Sequence, residues 1–193
     1  MRSWRPKQSE TAKHRTLCAP WCVGNGVDLG SGGDPIAPEA LGIDLPAKEA
    51  ERYSTTDWGR RPIQWRGDAR DLYWFQGGTL DYVYSSHLIE DFTAAEQREV
   101  LAEWGRVVKP GGYLVLLYPE NRRWAAAVEA GQPMNANHQH EPDEHEIANH
   151  LREMGWTILE DRLADEQLRA YGGGPDYSWL VVAQKPEPDG PRA

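Results

Sequence analysis

Short runs of apolar residues restrict the possible folds of this chain more than any other feature. Each run is continuous, without the apolar–polar alternation of a half-exposed strand. Such runs favour strands that are buried on both faces of a sheet. The runs lie at residues 26–29, 41–44, 63–65, 80–84, 113–118, 156–159 and 178–184.

Two helix start signals lie among the later runs. Thr93 and Glu96 have the spacing of a capping box, and Asp143 and Glu146 repeat that spacing. Apolar residues follow at helical intervals: Val100, Leu101, Trp104 and Val108 after the first signal, and Ile147, Leu151 and Met154 after the second. The sequence KPGG at 109–112 ends the first helix and Gly155 the second. Strands that alternate with helices predict an α/β fold, with a mostly parallel sheet and helices on its faces.

Polar or glycine-rich segments follow the first four predicted strands. They are DLGSGGD at 28–34, Asp44, GDARD at 67–71 and SSH at 85–87. Because parallel sheets bind ligands where the carboxyl ends of their strands meet, we expect these segments to lie together. Glycines let the backbone approach a ligand, and an acid after the second strand is placed to accept ribose hydroxyls. Singly, each segment is better explained as a turn or a helix cap, but their order along one edge indicates a ligand site.

Five segments carry a family resemblance: VDLGSGGD, GIDL, GDARDL, LDYVYSSHLIEDF and WGRVVKPGGYLVLLYPE. In this order they resemble class I S-adenosylmethionine-dependent methyltransferases of the methyltransferase type 11 kind, and NHQHEPDEHEIANHLREMGWTI resembles the segment that usually follows. The resemblance implies a doubly wound, Rossmann-like α/β sheet of seven strands, with residues 178–184 as the antiparallel strand. It also implies S-adenosylmethionine as cofactor. We expect one methyltransferase domain over residues 1–185, with a helical segment at 1–19 and a flexible tail at 186–193.

The resemblance also assigns roles to single residues. The glycine loop would face the methionine part of the cofactor, Asp44 the ribose, and Leu45, Asp68 and Ala69 the adenine. Ser85 would lie beside the sulfonium, with Ser86 and His87 near the transferred methyl group. The expected cofactor-binding residues are Asp28, Gly30, Ser31, Gly32, Gly33, Asp44, Leu45, Asp68, Ala69, Arg70, Ser85 and Ser86.

The chain departs from the family pattern at the glycine loop. Asp34 occupies the third glycine position, and Pro35 follows at once. Only eleven residues separate Leu29 from Leu41, whereas a crossover connection with a full helix needs at least about a dozen. We therefore expect the first crossover helix to be shortened to a turn or lost. One possibility is that a cation of the N-terminal segment takes the place of the missing helix N-terminus beside the methionine carboxylate. The alternative is that the cations of this segment form a solvated helix face. These cations are Lys7, Lys13, His14 and Arg15.

His87 is the candidate catalytic residue, because an imidazole accepts a proton near neutral pH. The alternative is that His87 braces the following helix. His138 and His140 lie in a loop that could close over the acceptor, and a metal site with Glu141 is a further alternative that we do not adopt. Tyr118 and Asn121 are candidates for the acceptor pocket, although Tyr118 could equally belong to the core.

The acceptor is expected to be a small molecule that is methylated on oxygen or nitrogen. The segment after the fourth strand lacks the Asn/Asp-Pro-Pro-aromatic signature of amide and base methylation, and no cysteine follows it. The formal net charge of −9 argues against nucleic acid, whose binding relies on clustered Lys and Arg. The alternative function is a non-catalytic binding module on the same fold. A nicotinamide dehydrogenase is disfavoured, because the Gly-x-Gly-x-x-Gly motif of such enzymes would require a glycine where this chain has Pro35. The acid Asp44 also follows the loop sooner than the roughly 20 residues of that motif.

The remaining features place the protein in the cytoplasm. The N-terminus lacks the apolar stretch of a secretory signal, and no apolar run reaches the roughly 20 residues of a membrane span. Cys18 and Cys22 have three interpretations: a metal site, a disulfide, or buried thiols, of which we favour the last.

Overall fold

We describe a computed structural model of the protein over residues 9–46, 62–165 and 176–188. Its helices are α1 (Glu10–Cys18), α2 (Ala94–Val107), α3 (Asn121–Glu129) and α4 (Glu146–Glu153). Its strands are β1 (Gly26–Leu29), β2 (Leu41–Asp44), β3 (Trp65–Arg66), β4 (Leu80–Ser86), β5 (Val108–Pro119), β6 (Thr157–Leu163) and β7 (Ser178–Gln184). None of the helices in these ranges is long and apolar enough to cross a membrane.

The strands form one sheet of seven in the order β3-β2-β1-β4-β5-β7-β6. The pairs from β3 to β5 are parallel, and β7 is antiparallel to both of its neighbours. The predicted α/β class, the doubly wound topology and the antiparallel strand are thus confirmed. The strand order reverses between β1 and β4, and an open parallel sheet binds its ligand at such a switch point.

Each face of the sheet is covered by a hydrophobic cluster. On one face, Trp104 of α2 and Leu151 of α4 pack with Val83 of β4. On the other, Tyr82 and Tyr84 pack with residues that follow α1 or lie in the first crossover. The alternation of Tyr82, Val83 and Tyr84 between faces is the two-residue period of a strand, and it explains why a fully buried strand reads as one continuous apolar run.

Cys18 and Cys22 are free thiols buried in the second cluster. The buried-thiol interpretation is therefore confirmed, and the disulfide alternative is wrong. Burial raises the pKa of Cys18 to about 12, which keeps its sulfur protonated and unreactive.

The predicted element boundaries are confirmed in part. β1, β2 and β7 match their apolar runs, and the Thr93 capping box forms at the start of α2. The KPGG segment ends α2 as expected but belongs to the beginning of β5, because its backbone pairs with neighbouring chain instead of turning away. β3 is shorter than predicted and shifted toward the C-terminus.

The predicted start of α4 is wrong. Its N-cap is His145, in the left-handed conformation with φ of 67°, and not Asp143. Asp143 still donates its backbone N–H to Glu146 Oε2 at 3.0 Å, so one half of the capping box forms two residues before the N-cap. His145 instead directs its ring toward Asp161 at 2.9 Å, a contact with β6 that local spacing cannot reveal.

The first crossover contains no helix, which confirms the expectation drawn from its length. Asp28 holds it in place, since its Oδ2 accepts the backbone N–H of Ile36 at 2.7 Å. The segment therefore returns to β2 as a series of turns anchored to the strand that precedes it.

Candidate functional site

A cavity of about 440 Å³ opens at the carboxyl ends of β1, β2 and β4. Most of the residues predicted from the sequence line it: Gly30, Ser31, Gly32, Asp44, Leu45, Asp68, Ala69, Arg70, Ser86 and His87. Asp28, Gly33 and Ser85 do not line it. Strand order thus brings together segments from four separate parts of the sequence.

The glycine loop adopts a backbone that side chains disfavour. Gly30, Gly32 and Gly33 have φ values of 72°, 52° and 76°. The Gly30 N–H donates to Ile43 O at 2.9 Å, which fixes the loop against β2. A Cβ added at Gly30 would lie 3.3 Å from Leu88, so the loop is both strained for other residues and closely packed.

Asp44 links the glycine loop to the end of β2. Its Oδ2 accepts the Gly32 N–H at 2.9 Å, and its Oδ1 accepts the Leu45 N–H at 2.8 Å. The carboxylate is buried but borders the cavity, and each oxygen keeps a second lone pair. Asp44 therefore both shapes the loop and offers acceptors to a ligand.

Asp28 and Ser85 lie behind the cavity wall. Burial raises the pKa of Asp28 well above its usual value, and the Ile36 N–H opposes that shift. Ser85 donates its hydroxyl to Leu29 O at 3.3 Å. Their contacts brace the glycine loop and the junction of β1 with β4, so a direct contact with the cofactor stays a prediction for these residues and for Gly33.

Asp68, Ala69 and Arg70 form the outer rim of the cavity. Arg70 NH2 lies 3.0 Å from Asp68 Oδ2, and its guanidinium also contacts Glu96 at 3.3 Å. The Ala69 carbonyl accepts the indole N–H of Trp104 at 2.8 Å, which ties this rim to α2. The ion pair at Asp68 is half-exposed, so a ligand amine can exchange with the arginine at modest cost.

α1 packs over the glycine loop and contributes Ser9, Glu10 and Thr11 to the cavity wall. Arg15 bonds Asp34 at 2.7 Å and also donates to the carbonyls of Pro35 and Ile36. Ser9 donates its hydroxyl to Asp34.

The cations expected to face the methionine carboxylate are engaged within the protein. Besides Arg15, Lys13 pairs with Glu10 at 2.5 Å, and the His14 ring lies 3.8 Å from Asp176. Burial lowers the pKa of His14 to about 4, so that ring is neutral. Lys7 lies outside the described residues. α1 therefore acts on the loop through Arg15 and Ser9.

His87 lines the cavity with both ring nitrogens in contact with the protein. Nδ1 lies 3.5 Å from Glu90, and Nε2 lies 3.2 Å from Ser178 Oγ. Its φ of 54° is uncommon for a residue with a side chain. Burial lowers the pKa of His87, but the carboxylates of Glu90 and Glu10 outweigh burial and raise it above its ordinary value. Bracing contacts are thus present, and the catalytic role stays a prediction.

The two loop histidines differ in their position relative to the cavity. His138 lines the cavity and contacts Glu141 at 2.9 Å, whereas the half-buried His140 does not line it and faces Glu146 at 3.0 Å. Within residues 9–46, 62–165 and 176–188, no group of three or more His, Cys, Asp or Glu side chains is arranged to hold a metal ion. Tyr118 belongs to the core, and Asn121 donates to Asp143 at 3.1 Å; neither lines the cavity.

Sequence reasoning missed part of the wall. The main omissions are Glu10, Glu90, Trp124, Tyr177 and the loop residues around the predicted His138, at 132–135, 137 and 139. Glu90 lies inside the SSHLIEDF motif, and the acid pair Glu90–Asp91 between Ile89 and Phe92 was the available signal. Trp124 follows β5, and Tyr177 directly precedes β7. Only the pairing of β5 with β7 therefore reveals that the two residues lie close together.

Comparisons with known proteins agree with this geometry. A family model described as a methyltransferase domain matches residues 27–116. A search of the curated proteins gives no significant match. The matched region covers β1 to β5 and contains the predicted cofactor-binding residues from Asp28 to Ser86.

Three solved structures illustrate the shared fold. A SAM-dependent methyltransferase from Archaeoglobus fulgidus has a TM-score of 0.66 and 15% identity, over 91% of this chain and 92% of that one. An O-methyltransferase family protein from Burkholderia thailandensis has a TM-score of 0.59 and 21% identity, with 93% of this chain aligned but only 58% of the other. The 1,6-didemethyltoxoflavin-N1-methyltransferase of B. thailandensis, bound to 1,6-didemethyltoxoflavin and S-adenosylhomocysteine, has a TM-score of 0.61 and 13% identity over 92% of this chain and 78% of that chain. Residues 27–116 thus match a methyltransferase domain, and the chain shares the fold of the S-adenosylmethionine-dependent methyltransferases among these structures.

Proposed function

We propose that the protein transfers a methyl group from S-adenosylmethionine to an oxygen or nitrogen atom of a small molecule. One observation carries this proposal. The glycine loop and Asp44 share a single cavity with a second wall formed by His87, Trp124 and Tyr177. A methyl donor on the first wall and an acceptor on the second would be held side by side, as in-line displacement requires.

The residues of the first wall fit the cofactor. Ser31 Oγ on this wall and Ser86 Oγ at the end of β4, where the two walls meet, are buried without a hydrogen-bond partner among the described residues, and both residues border the cavity. Asp44 would hold the ribose hydroxyls, and Asp68 with the Ala69 backbone would hold the adenine edge. When bound, S-adenosylmethionine supplies a methyl group activated by a sulfonium.

The second wall suits a small acceptor better than a nucleic acid. A 440 Å³ cavity lies within the range of small-ligand sites, about 300–1,000 Å³. The net charge of −9 opposes the approach of a phosphate backbone. Catalysis would then consist of positioning, exclusion of water and proton acceptance near His87. The cytoplasmic location, the single domain over residues 1–185 and the tail at 186–193 stay predictions from the sequence.

Replacing Asp44 tests the cofactor site. Asp44→Ala removes a charged acceptor from two ribose hydroxyls and also releases the Gly32 N–H. A hydrogen bond to a charged group contributes about 1.5–3 kcal/mol, so we expect at least a tenfold weaker affinity for S-adenosylhomocysteine in calorimetry. Asp44→Asn should lie between wild type and alanine.

Glu99→Ala provides the control, because Glu99 is exposed on α2 and should leave the affinity within twofold. Unchanged affinity in a folded Asp44→Ala variant would contradict the assignment. Transfer of a labelled methyl group to a panel of small hydroxyl and amino compounds then separates the enzyme from the binding module. Cofactor binding without transfer to any compound would favour the binding module.

A further inference from the structure

Five cavity-lining side chains form a closed circle of contacts, here called the acid–aromatic ring: Glu90, His87, Tyr177, Trp124 and His138. Glu90 Oε1 lies 3.5 Å from His87 Nδ1 and 3.6 Å from His138 Nε2. The ring of Trp124 lies 4.9 Å from His138 and 4.9 Å from Tyr177, centroid to centroid. Tyr177 closes the circle, since its ring lies 5.7 Å from that of His87.

Glu90 is the unusual member of this ring. Its side chain is 0% exposed, and neither carboxylate oxygen accepts a hydrogen bond from any described residue. A buried carboxylate whose nearest partners are two imidazoles at 3.5 and 3.6 Å, with no hydrogen bond from a described residue to either oxygen, is poorly compensated for its burial. Its backbone carbonyl, in contrast, accepts the N–H groups of Gln139 and His140, so the main chain is firmly placed while the side chain lacks donors.

Neighbouring acids lack donors as well. Asp91 Oδ1 and Glu10 Oε2 are buried without a hydrogen-bond partner in the described structure, and both residues line the cavity. Burial, followed by the charge of Glu90, raises the pKa of Asp91 to about 8. This wall therefore has more acceptor oxygens than donors.

The protein's own cations balance this wall incompletely. Lys13 contacts Glu10 and is committed to that carboxylate. Among the described residues, His87 and His138 lie beside Glu90 at 3.5 and 3.6 Å, and both distances are longer than a short charge-assisted contact of about 2.7–2.9 Å. The competing explanation, that protonated His87 or His138 satisfies Glu90, predicts no preference for a charged ligand.

We propose that the methyl acceptor carries a positively charged nitrogen, an alkylammonium or quaternary ammonium group, which binds at the acid–aromatic ring. Glu90 supplies the counter-charge, and the faces of Tyr177 and Trp124 supply cation–π attraction, as in sites that bind quaternary ammonium groups. This inference rests on the proposed function, because it names the acceptor of that reaction.

The ring is separate from the predicted cofactor wall. Its members follow β4 and β5 or precede β7, whereas the glycine loop, Asp44 and Asp68 follow β1, β2 and β3. The two walls thus belong to opposite halves of the sheet. A charged nitrogen at Glu90 would belong to the acceptor and not to the cofactor.

Matched probes test the inference in the full-length protein saturated with S-adenosylhomocysteine. Phenethylamine, phenyltrimethylammonium, 2-phenylethanol and phenylacetate present a primary ammonium, a quaternary ammonium, a neutral group and an anion on similar frames. We expect at least one cation to bind tenfold or more tightly than the alcohol, and the anion to bind more weakly still. Equal affinity for the cations and the alcohol would overturn the inference.

Variants locate the effect. Glu90→Gln should remove the preference for the cation while leaving the affinity for S-adenosylhomocysteine within twofold. Glu153→Gln, at an exposed residue paired with Arg98, should change neither affinity. A Glu90→Gln protein that keeps the preference, or loses cofactor binding along with it, would contradict the assignment.

Two further results keep the test decisive. If Glu90→Gln does not fold, the variant Trp124→Leu is used in its place. It should weaken cation binding at least threefold more than alcohol binding, and equal weakening would contradict a cation–π role.

If wild-type protein fails to bind S-adenosylhomocysteine, the proposed function fails. If it binds the cofactor product and shows no cation preference, only this inference fails.

Discussion

At the scale of single residues, three aspartate side chains carry the same carboxyl group but have different roles. Asp28 is buried and hydrogen-bonded to Ile36, where it shapes the first crossover. Asp44 is buried at the cavity edge and keeps lone pairs for a ligand. Asp91 stands next to Glu90 with an oxygen that has no donor among the described residues. Residue type alone does not distinguish these roles; the partners do.

The buried carboxyl group of Asp91 should make the free energy of unfolding decrease as pH rises. Burial and Glu90 raise its pKa from 3.8 to about 8, so the folded state holds a proton that the unfolded state has released. Stability therefore declines through that window, because the native state binds more protons than the unfolded state. Asp91→Asn removes the effect and should be more stable than wild type above pH 8, by about 1 kcal/mol or more.

Urea denaturation across this pH range measures the gap between wild type and Asp91→Asn. The gap should be smallest at the acidic end and widen toward pH 8. Asp143→Asn, which makes the same exchange at an exposed position, serves as the control. A constant gap for Asp91→Asn would show that the proton is not retained.

At the scale of elements, α1 replaces what the first crossover lacks. The crossover has no helix, and its turns are held from outside by Arg15 and Ser9. Arg15 reaches Asp34 and two successive backbone carbonyls, so one side chain satisfies groups that a crossover helix would have paired internally. The N-terminal segment therefore contributes to the site through the conformation of the glycine loop.

Arg15→Met should destabilise the protein and weaken cofactor binding together. The change keeps much of the aliphatic chain but removes the hydrogen bonds that Arg15 donates to Asp34 and to the carbonyls of Pro35 and Ile36. Loss of such bonds costs about 1–3 kcal/mol, which chemical denaturation can measure. We expect the affinity for S-adenosylhomocysteine to fall severalfold, since the loop loses its outer support.

The matched control is Arg98→Met, at a guanidinium that is 56% exposed and paired only with Glu153 at the surface. Surface ion pairs contribute about 0–1 kcal/mol, so both stability and affinity should be nearly unchanged. If Arg15→Met behaves like this control, α1 does not support the loop.

At the scale of the whole molecule, the sheet divides the cavity into two walls. The glycine loop, Asp44 and Asp68 follow β1, β2 and β3, while His87, Trp124 and Tyr177 lie at the ends of β4, β5 and β7. The switch point between β1 and β4 separates them. A ligand that fills the first wall would therefore add contacts between the segments that follow β1, β2 and β3.

Bound S-adenosylhomocysteine should stabilise the whole fold. At a free concentration of 100 times Kd, binding to the native state alone adds about 2.7 kcal/mol. For a chain of 193 residues this corresponds to a rise in Tm of roughly 5–10 °C. Differential scanning calorimetry measures the shift, and adenosine alone should give a smaller one. No shift at saturating concentration would contradict cofactor binding.

The sequence by itself determined the class of fold and one wall of the site. β1, β2 and β7 follow from continuous apolar runs, the start of α2 from the Thr93 capping box, and the helix-free crossover from the chain length between Leu29 and Leu41. These features are local, because burial pattern, capping and chain length act within a few residues. Asp44 and the glycine loop were also predictable, since they directly follow strands that end at the same edge.

Only the tertiary structure decided the other wall. Glu90, Trp124 and Tyr177 come together at one cavity because β4 pairs with β5 and β5 pairs with β7. Arg15 meets Asp34 because α1 folds back over the loop. The start of α4 at His145 depends in the same way on Asp161 of β6. Each of these contacts joins residues far apart in the chain, so its energy comes from packing between elements, which local residue patterns do not encode.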